Sequence, residues 1–276
     1  MDFMQKCLLQ QNVGVNIPDY YDHRYFFVER NIGNYVCGLA RETIAPILFQ
    51  HNSRFFLDLD WITAISKSSH NPSVLGFLVE QSCLAEISRS GLRVGDVELK
   101  PEFTYTFDEL PTYDLKHKVT LYIPSTFNFK AIDGMLLSTF TEKEEEQVPV
   151  MTKAGNPKKT SKGKAITETR VVGTTKCAHL IPIQITISRY HSDSVKKIFD
   201  DLDRYSEKLK DYDRIDYSFL WIKEDGVPSS VKHAKDSHDL RGGQILKHPE
   251  FTEHTIPVAH ISTQISKALQ RARGGN

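Results

Sequence analysis

The sequence lacks the features that define several large classes of protein. Its four cysteines lie far apart and form no C-x-x-C pair, which excludes a cysteine-rich zinc site and gives no disulfide framework. No apolar run approaches the roughly 18 residues of a membrane-spanning helix, and the first ten residues are too polar for a signal peptide. We therefore expect reduced thiols, no membrane contact, and a soluble protein of the cytoplasm or nucleus.

Net charge is absent as well. The 35 Lys and Arg residues balance the 35 Asp and Glu residues, which excludes a protein that coats nucleic acid through bulk charge. A local basic groove stays open, because steering depends on where the charges lie. The chain contains no G-x-x-x-x-G-K-[ST] phosphate loop and no G-x-S-x-G nucleophile elbow. Its eleven histidines form no H-x-x-x-H pair, so they indicate no zinc site.

The 276 residues suffice for one large domain or for one domain with an appendage. Residues 1–70 are rich in aromatic side chains and are interpreted as a helical cap, for which a winged-helix-like arrangement is one option. Residues 71–225 carry the pattern of an α/β domain. Residues 226–276 are predicted to be a polar, histidine-rich tail with one late helix.

The α/β part shows alternating helical and strand patterns that predict a mixed central sheet flanked by helices. Pro72 begins a helix whose apolar residues recur at helical spacing up to Gly91. Three strand-like runs follow, and the third is almost continuously apolar, as is typical of a buried strand. An amphipathic helix and a strand with alternating aromatic residues come next. The predicted strands are 118–123, 131–137, 179–187 and 215–222, and the amphipathic helix is 193–210.

A segment of different composition separates the second and third of these strands. Residues 142–146 are mostly acidic, and five lysines follow among glycines and a proline. We interpret residues 141–165 as a mobile, solvated insertion. A flap that contacts nucleic acid is the alternative.

Three polar side chains stand out because each interrupts an apolar element. Glu80 lies within the helix, Asp133 within the second strand and Gln184 within the third. A carboxylate in an apolar strand is costly unless it is paired or bound to a cation. Two carboxylates and an amide oxygen within one coordination shell would suit Mg²⁺ or Mn²⁺. The simpler alternatives are a solvent-facing Glu80, a turn residue at Asp133 and a hydrogen-bonded core amide at Gln184.

The order of helix, three strands, helix and strand resembles the PD-(D/E)xK nuclease superfamily. Four segments look like the nuclease-like modules of crinkler effectors and retrotransposon hot spot proteins: YDHRY at 21–25, FLDLDW at 56–61, GFLVE at 76–80 and IQIT at 183–186. The likeness spans roughly residues 20–225. It implies a restriction-endonuclease-like core and a nucleic acid partner, DNA more than RNA. In that family a P-loop NTPase often precedes the domain, and the chain contains none.

The resemblance also implies roles for individual residues. Asp133 would be the metal-binding Asp, Gln184 would stand in the place of the second acid, and Glu80 would be the helix acid that completes the metal site. Thr186 stands where the family has a lysine that orients water and stabilises developing charge. We therefore expect a degenerate active site. The cations that could replace the missing lysine are Lys130, Arg189 and Lys196.

Two classes of function are compatible with this pattern. One is a magnesium- or manganese-dependent endonuclease with a degenerate site, in a crinkler-type effector or genomic-conflict protein, for which the host-cell nucleus is a possible location. The other is a non-enzymatic effector on the same fold that binds nucleic acid, or that binds protein through the cap. Metal binding at Asp133 discriminates between them.

Overall fold

The fold is taken from a computed structural model of the chain. It describes residues 26–29, 32–35, 38–69, 72–95, 97–108, 118–125, 132–150, 166–187, 205–235, 237–241 and 244–274, and positions 111, 113, 115, 116, 152, 157, 158, 160 and 164. Within these, only the backbone is described for residues up to 44, for 73 and for 237–248. Among the described residues, no helix is long and apolar enough to cross a membrane.

Thirteen strands and five α-helices are assigned within the described residues. The strands are β1 Phe26–Glu29, β2 Ile32–Tyr35, β3 Leu92–Val94, β4 Val97–Leu99, β5 Phe103–Phe107, β6 Val119–Pro124, β7 Gly134–Pro149, β8 Thr167–Thr186, β9 Arg214–Lys223, β10 Ser230–Ala234, β11 Ser237–Arg241, β12 Gln244–His248 and β13 Phe251–Pro257. The helices are α1 Gly38–Asn52, α2 Leu59–Lys67, α3 Pro72–Ser90, α4 Val258–Ile261 and α5 Thr263–Ala272. Two 3-10 helices are Ser53–Leu57 and Glu207–Leu209.

A seven-stranded mixed sheet forms the centre of the structure, with the strand order β10-β13-β9-β8-β7-β6-β5. Strands β6, β7 and β8 run antiparallel in succession, and β9 lies parallel to β8. At the edges, β5 is parallel to β6, β13 is parallel to β9, and β10 is antiparallel to β13. The predicted mixed α/β architecture is confirmed at this level.

Helix α3 is central to the packing, because it is buried on nearly all sides. Its N-terminus begins at Pro72, and Gly91 follows its last residue with a φ of 82°. A Cβ on Gly91 would lie 2.8 Å from the carbonyl oxygen of Leu99, so only glycine fits this close turn into β3. A helix enclosed in this way needs apolar residues all round rather than along one stripe.

Two apolar clusters occupy the two faces of the sheet. The first lies between the sheet and helices α1, α2, α3 and α5, and includes Ile181 and Ile183 of β8. The second lies on the other face and includes Ala178 and Leu180. Side chains of β8 therefore alternate between the clusters, as the period of a strand requires. The aromatic residues of the cap belong to the first cluster: Phe49, Phe55, Phe56 and Trp61.

The last part of the chain differs from the predicted tail. Strands β10 and β13, from within residues 226–276, join the central sheet. They escaped the sequence pattern because their burial is only partial and their apolar runs are short. The predicted late helix exists, but Ser262 divides it into α4 and α5, and the Ser262 hydroxyl caps α5 by accepting from Ile265 N.

Strands β7 and β8 continue beyond the sheet as a two-stranded ribbon, which we call the β arm and define as residues 140–149 and 167–177. The sequence predicted a mobile, solvated insertion over 141–165, whereas residues 141–149 of this segment form a strand that pairs with residues 167–176. Backbone pairing, which composition does not reveal, accounts for the difference. Of the predicted helix 193–210, residues 193–204 lie outside the described residues, and helical turns are found over 205–209.

Candidate functional site

Asp133 lies at the start of β7, where β7 meets β8. Its backbone N–H donates to the carbonyl oxygen of Ile183 at 2.9 Å, although Gly134 is the residue paired with Ile183. The Asp133 Oδ2 accepts a hydrogen bond from Ile185 N at 2.6 Å. The carboxylate oxygen therefore accepts the hydrogen bond that a backbone carbonyl would accept if β7 continued past its first residue.

The Asp133 carboxyl group has an unusual proton affinity. Burial raises the pKa of Asp133 from 3.8 to about 7, and the hydrogen bond from Ile185 N opposes this change by favouring the charged form. A nearby cation would stabilise the ionised form of this carboxyl group, because burial makes its negative charge unfavourable. This property makes Asp133 the strongest candidate in the site.

Glu80 lies on α3, one turn before the buried thiol of Cys83. Burial is the main cause that raises the pKa of Cys83, and the negative charges of Glu80 and Asp133 add to it. Both carboxylates are therefore close enough to the same thiol to act on its proton. The Glu80 Oε1 also accepts from Gln81 Nε2 at 3.0 Å. The charges of Glu80 and Asp133 thus both act on Cys83, but these three side chains do not form a group that could hold a metal ion.

Two further carboxylates act on Cys83, but each is held by protein groups. Asp225 accepts hydrogen bonds from Ala259 N at 2.9 Å and from the Ser266 hydroxyl. Glu86 accepts from Arg89 and from the Ser90 hydroxyl at 2.7 Å. These hydrogen bonds assign both side chains a structural role.

Gln184 and Thr186 occupy the other face of the sheet. They alternate along β8 with Ile183 and Ile185, which pack in the first cluster. Gln184 is paired with Trp221 of β9, a member of the second cluster. The Gln184 Oε1 is buried, and no described residue donates to it. The structure therefore places Gln184 and Thr186 on the second-cluster face of β8, whereas Glu80 lies on α3, which packs in the first cluster. Lys130, Arg189 and Lys196 lie outside the described residues.

The donor set around Asp133 suits a hard cation only in part. Within the described residues, no three His, Cys, Asp or Glu side chains are grouped closely enough to hold a metal ion. Mg²⁺ is nevertheless often held by one or two carboxylates, with water as the remaining ligands. Glu80 and Asp133 fit that arrangement, and they would hold the ion weakly.

Sequence reasoning missed one polar contact across the sheet. His179 Nε2 lies 2.8 Å from the hydroxyl of Ser218 on β9. Burial is the largest cause that lowers the pKa of His179, and His254 lowers it further while Asp216 opposes both. This favours a neutral imidazole paired with the hydroxyl. Ser218 is almost fully buried, so the pair serves the sheet rather than a substrate. The contact depends on the register between β8 and β9, which no local signal encodes.

Comparison with known proteins adds no relative. No protein-family model matches the chain, and no curated protein or solved structure matches it. The chemistry of the site is therefore inferred from the structure of this chain.

Replacing Gln184 with leucine is expected to leave the free energy of unfolding unchanged or to raise it by about 1 kcal/mol. An unpaired buried polar atom costs about 1–3 kcal/mol, and leucine removes that cost. Gln184→Glu should instead destabilise the protein at pH 8, since it buries an unpaired charge. Urea unfolding measures both. A loss of more than about 2 kcal/mol in Gln184→Leu would show that the amide has a partner after all.

Proposed function

We propose that the chain is a nucleic-acid-binding domain of the PD-(D/E)xK nuclease type, in which Glu80 and Asp133 hold a divalent cation weakly and cleavage is slow or absent. The antiparallel succession β6, β7 and β8, with β9 parallel to β8, supports the restriction-endonuclease-like core, although β3, β4 and β5 stand between α3 and β6. DNA, more than RNA, is the proposed partner, which agrees with a place in the cytoplasm or nucleus, as in a crinkler-type effector.

The observation that carries this proposal is that two carboxylates from different elements act on one buried thiol. Glu80 comes from the helix and Asp133 from the start of the second core strand, and both act on the Cys83 thiol. These are the two positions at which the resemblance expects metal-binding acids. A bound Mg²⁺ or Mn²⁺ would supply polarisation of a phosphate group at this point.

Weak activity is proposed because the remaining catalytic positions supply no charge. Gln184 is a neutral amide in the place of the second acid, and Gln184 and Thr186 both lie on the buried second-cluster face of β8. Thr186 also carries no positive charge for a developing phosphate. Removing one such stabilising contact typically lowers a rate by about 10²- to 10³-fold.

An active nuclease is the second candidate, and the pKa of Asp133 favours it. A carboxyl group with a pKa of about 7 can exchange a proton near neutral pH, which suits acid–base catalysis. In that case Lys130 or Arg189 would supply the missing positive charge.

The two candidates are separated by measuring cation binding, nucleic acid binding and cleavage on the same preparations. The variants are Asp133→Asn, the double change Gln184→Glu with Thr186→Lys, and Glu98→Gln as a control at an exposed carboxylate. Titration calorimetry with Mn²⁺ in buffers of different ionisation enthalpy reports binding and proton release. Single-stranded and duplex DNA and RNA serve as cleavage substrates.

We expect Mn²⁺ binding to release protons below pH 7, to be lost in Asp133→Asn and to persist in Glu98→Gln. Duplex DNA should bind to wild type and to Asp133→Asn alike, without measurable cleavage. The double change should add no cleavage, because both substitutions place a charged side chain on the buried second-cluster face of β8. Brisk cleavage by wild type that Asp133→Asn abolishes would establish the active nuclease instead. Absence of binding to every nucleic acid would refute the proposal.

A further inference from the structure

Within the part of the chain that the structure describes, the β arm is the longest strand pair that extends beyond the central sheet. Its strands pair from Phe140 with Cys177 to Pro149 with Thr167. At about 3.3 Å per residue, ten residues extend for roughly 30 Å. Most side chains along it are exposed. An exposed ribbon of this length contributes little to the core, so another role accounts for it better.

The base of the β arm is fixed to the sheet. Arg214 of β9 donates two hydrogen bonds of 2.8 Å to the two carboxylate oxygens of Glu142, and it also contacts Asp216. Strand pairing shifts by one residue between Glu144 and Glu145, which adds local twist to the ribbon. The arm is therefore held at its root by a bidentate ion pair.

Charge is separated along the β arm. Residues 147–167 contain no acidic side chain and five lysines: Lys153, Lys158, Lys159, Lys162 and Lys164. The acids lie nearer the body: Glu142, Glu144, Glu145, Glu146 and Glu168. A chain with no net charge thus carries a net charge of +5 in one segment, 147–167. We call residues 150–166 the basic tip.

The described positions of the basic tip are joined by backbone hydrogen bonds. Val150 N donates to Ile166 O at 2.8 Å, and Lys158 links the two sides by donating to Val150 O and accepting from Ile166 N. Beyond it, Thr160 N donates to Lys164 O at 2.7 Å and closes a turn. Lys158 and Lys164 are exposed. The basic tip therefore presents these lysines from a hydrogen-bonded frame.

We propose that the basic tip binds the phosphate backbone of a nucleic acid, with the β arm reaching along or into a groove. A two-stranded ribbon fits the major groove of duplex DNA, and lysines bind phosphates as point charges. The two strands of the β arm carry a net charge of −2, from five glutamates against Lys143, Arg170 and Lys176, and so favour phosphate contact at the tip. A membrane is less suited, because the described tip exposes only Ile166 as a large apolar side chain. The choice of nucleic acid rests on the proposed function, whereas the contact surface does not depend on Asp133.

The test compares three full-length variants with wild type. The first replaces the five tip lysines with glutamine, and the second replaces them with arginine as a control that keeps the charge. The third replaces residues 151–165 with Asn-Gly, a two-residue turn that suits the Val150 and Ile166 pair. Fluorescence anisotropy of a labelled duplex of about 30 base pairs is followed in EDTA from about 50 to 200 mM salt. EDTA excludes any contribution from cation binding or cleavage.

We expect the glutamine and Asn-Gly variants to bind at least about tenfold more weakly. The slope of the logarithm of the binding constant against the logarithm of the salt concentration should become shallower by up to about four. The arginine variant should bind like wild type, and all variants should melt at nearly the same temperature. Equal binding by wild type and the glutamine variant would overturn this inference and leave the proposed function standing. Failure of wild type to bind any nucleic acid would overturn both. Tighter, lysine-dependent binding to phosphatidylserine vesicles than to the duplex would reject nucleic acid as the partner.

Discussion

Asp133→Asn is expected to make the protein more stable than wild type above pH 7 and equally stable near pH 4. Burial raises the pKa of Asp133 to about 7 in the folded protein, against an ordinary value of 3.8. The folded state therefore holds a proton that the unfolded state releases between pH 4 and 7, so wild-type stability falls as pH rises through this range. Each tenfold change in proton affinity corresponds to about 1.4 kcal/mol. The loss can thus reach about 4 kcal/mol.

Asparagine preserves the shape of the side chain and can still accept from Ile185 N, but it does not titrate. Urea unfolding from pH 4 to pH 8 should show the slope in wild type and in Glu98→Gln, and not in Asp133→Asn. Mg²⁺ at pH 8 should restore part of the free energy of unfolding that wild type has lost, because a ligand that binds the folded state stabilises it. It should have no such effect on Asp133→Asn. Parallel pH profiles for wild type and Asp133→Asn would contradict the assigned proton affinity.

The core elements of the fold could be predicted because their signals are local. Helix α3 is predicted by Pro72 at its start, by apolar residues at helical spacing and by Gly91 after its end. Strands β6 and β9 follow from runs of β-branched or alternating aromatic residues. The strand order of the sheet has no such local signal. In particular, the placing of β13 between β9 and β10 depends on long-range pairing, so sequence reasoning assigned that part of the chain to a tail.

The residues of the candidate site could be predicted from the sequence, but their contacts could not. Glu80 and Asp133 could be singled out because each is a carboxylate within an apolar element. The shared face of Gln184 and Thr186 also follows from the period of a strand. The hydrogen bond that fixes the Asp133 carboxylate, however, comes from Ile185 N, 52 residues further along the chain. No local signal in the sequence predicts a contact at that separation.

The β arm contained a signal that charge composition concealed. Its acidic strand and lysine-rich tip are typical of solvated, unpaired chain. The returning strand, however, is rich in β-branched residues, which favour extended structure: Thr167, Thr169, Val171, Val172, Thr174 and Thr175. Weighing that strand separately from the acidic one would have predicted a ribbon.

Removal of residues 1–70 is expected to prevent the remaining chain from folding. The cap shares the first apolar cluster with the sheet and with α5, so its removal would expose the apolar sheet face and the side of α3 that it covers. Trp61 is fully buried, and its Nε1 donates to Leu78 O at 3.2 Å and to the Ser82 hydroxyl at 2.9 Å, both on α3. Its ring also lies 4.8 Å from that of Phe56, centroid to centroid.

A point substitution tests the same dependence within the intact chain. Trp61→Ala should lower the free energy of unfolding by about 3–5 kcal/mol, since it leaves a large cavity between the cap and α3. Leu59→Ala, two residues earlier and 75% exposed, should change it by less than about 0.5 kcal/mol. Fragment 71–276 should show no cooperative thermal transition. If it melts cooperatively near the temperature of the full chain, then the cap is an independent domain, and its aromatic residues become available as a partner surface when it detaches.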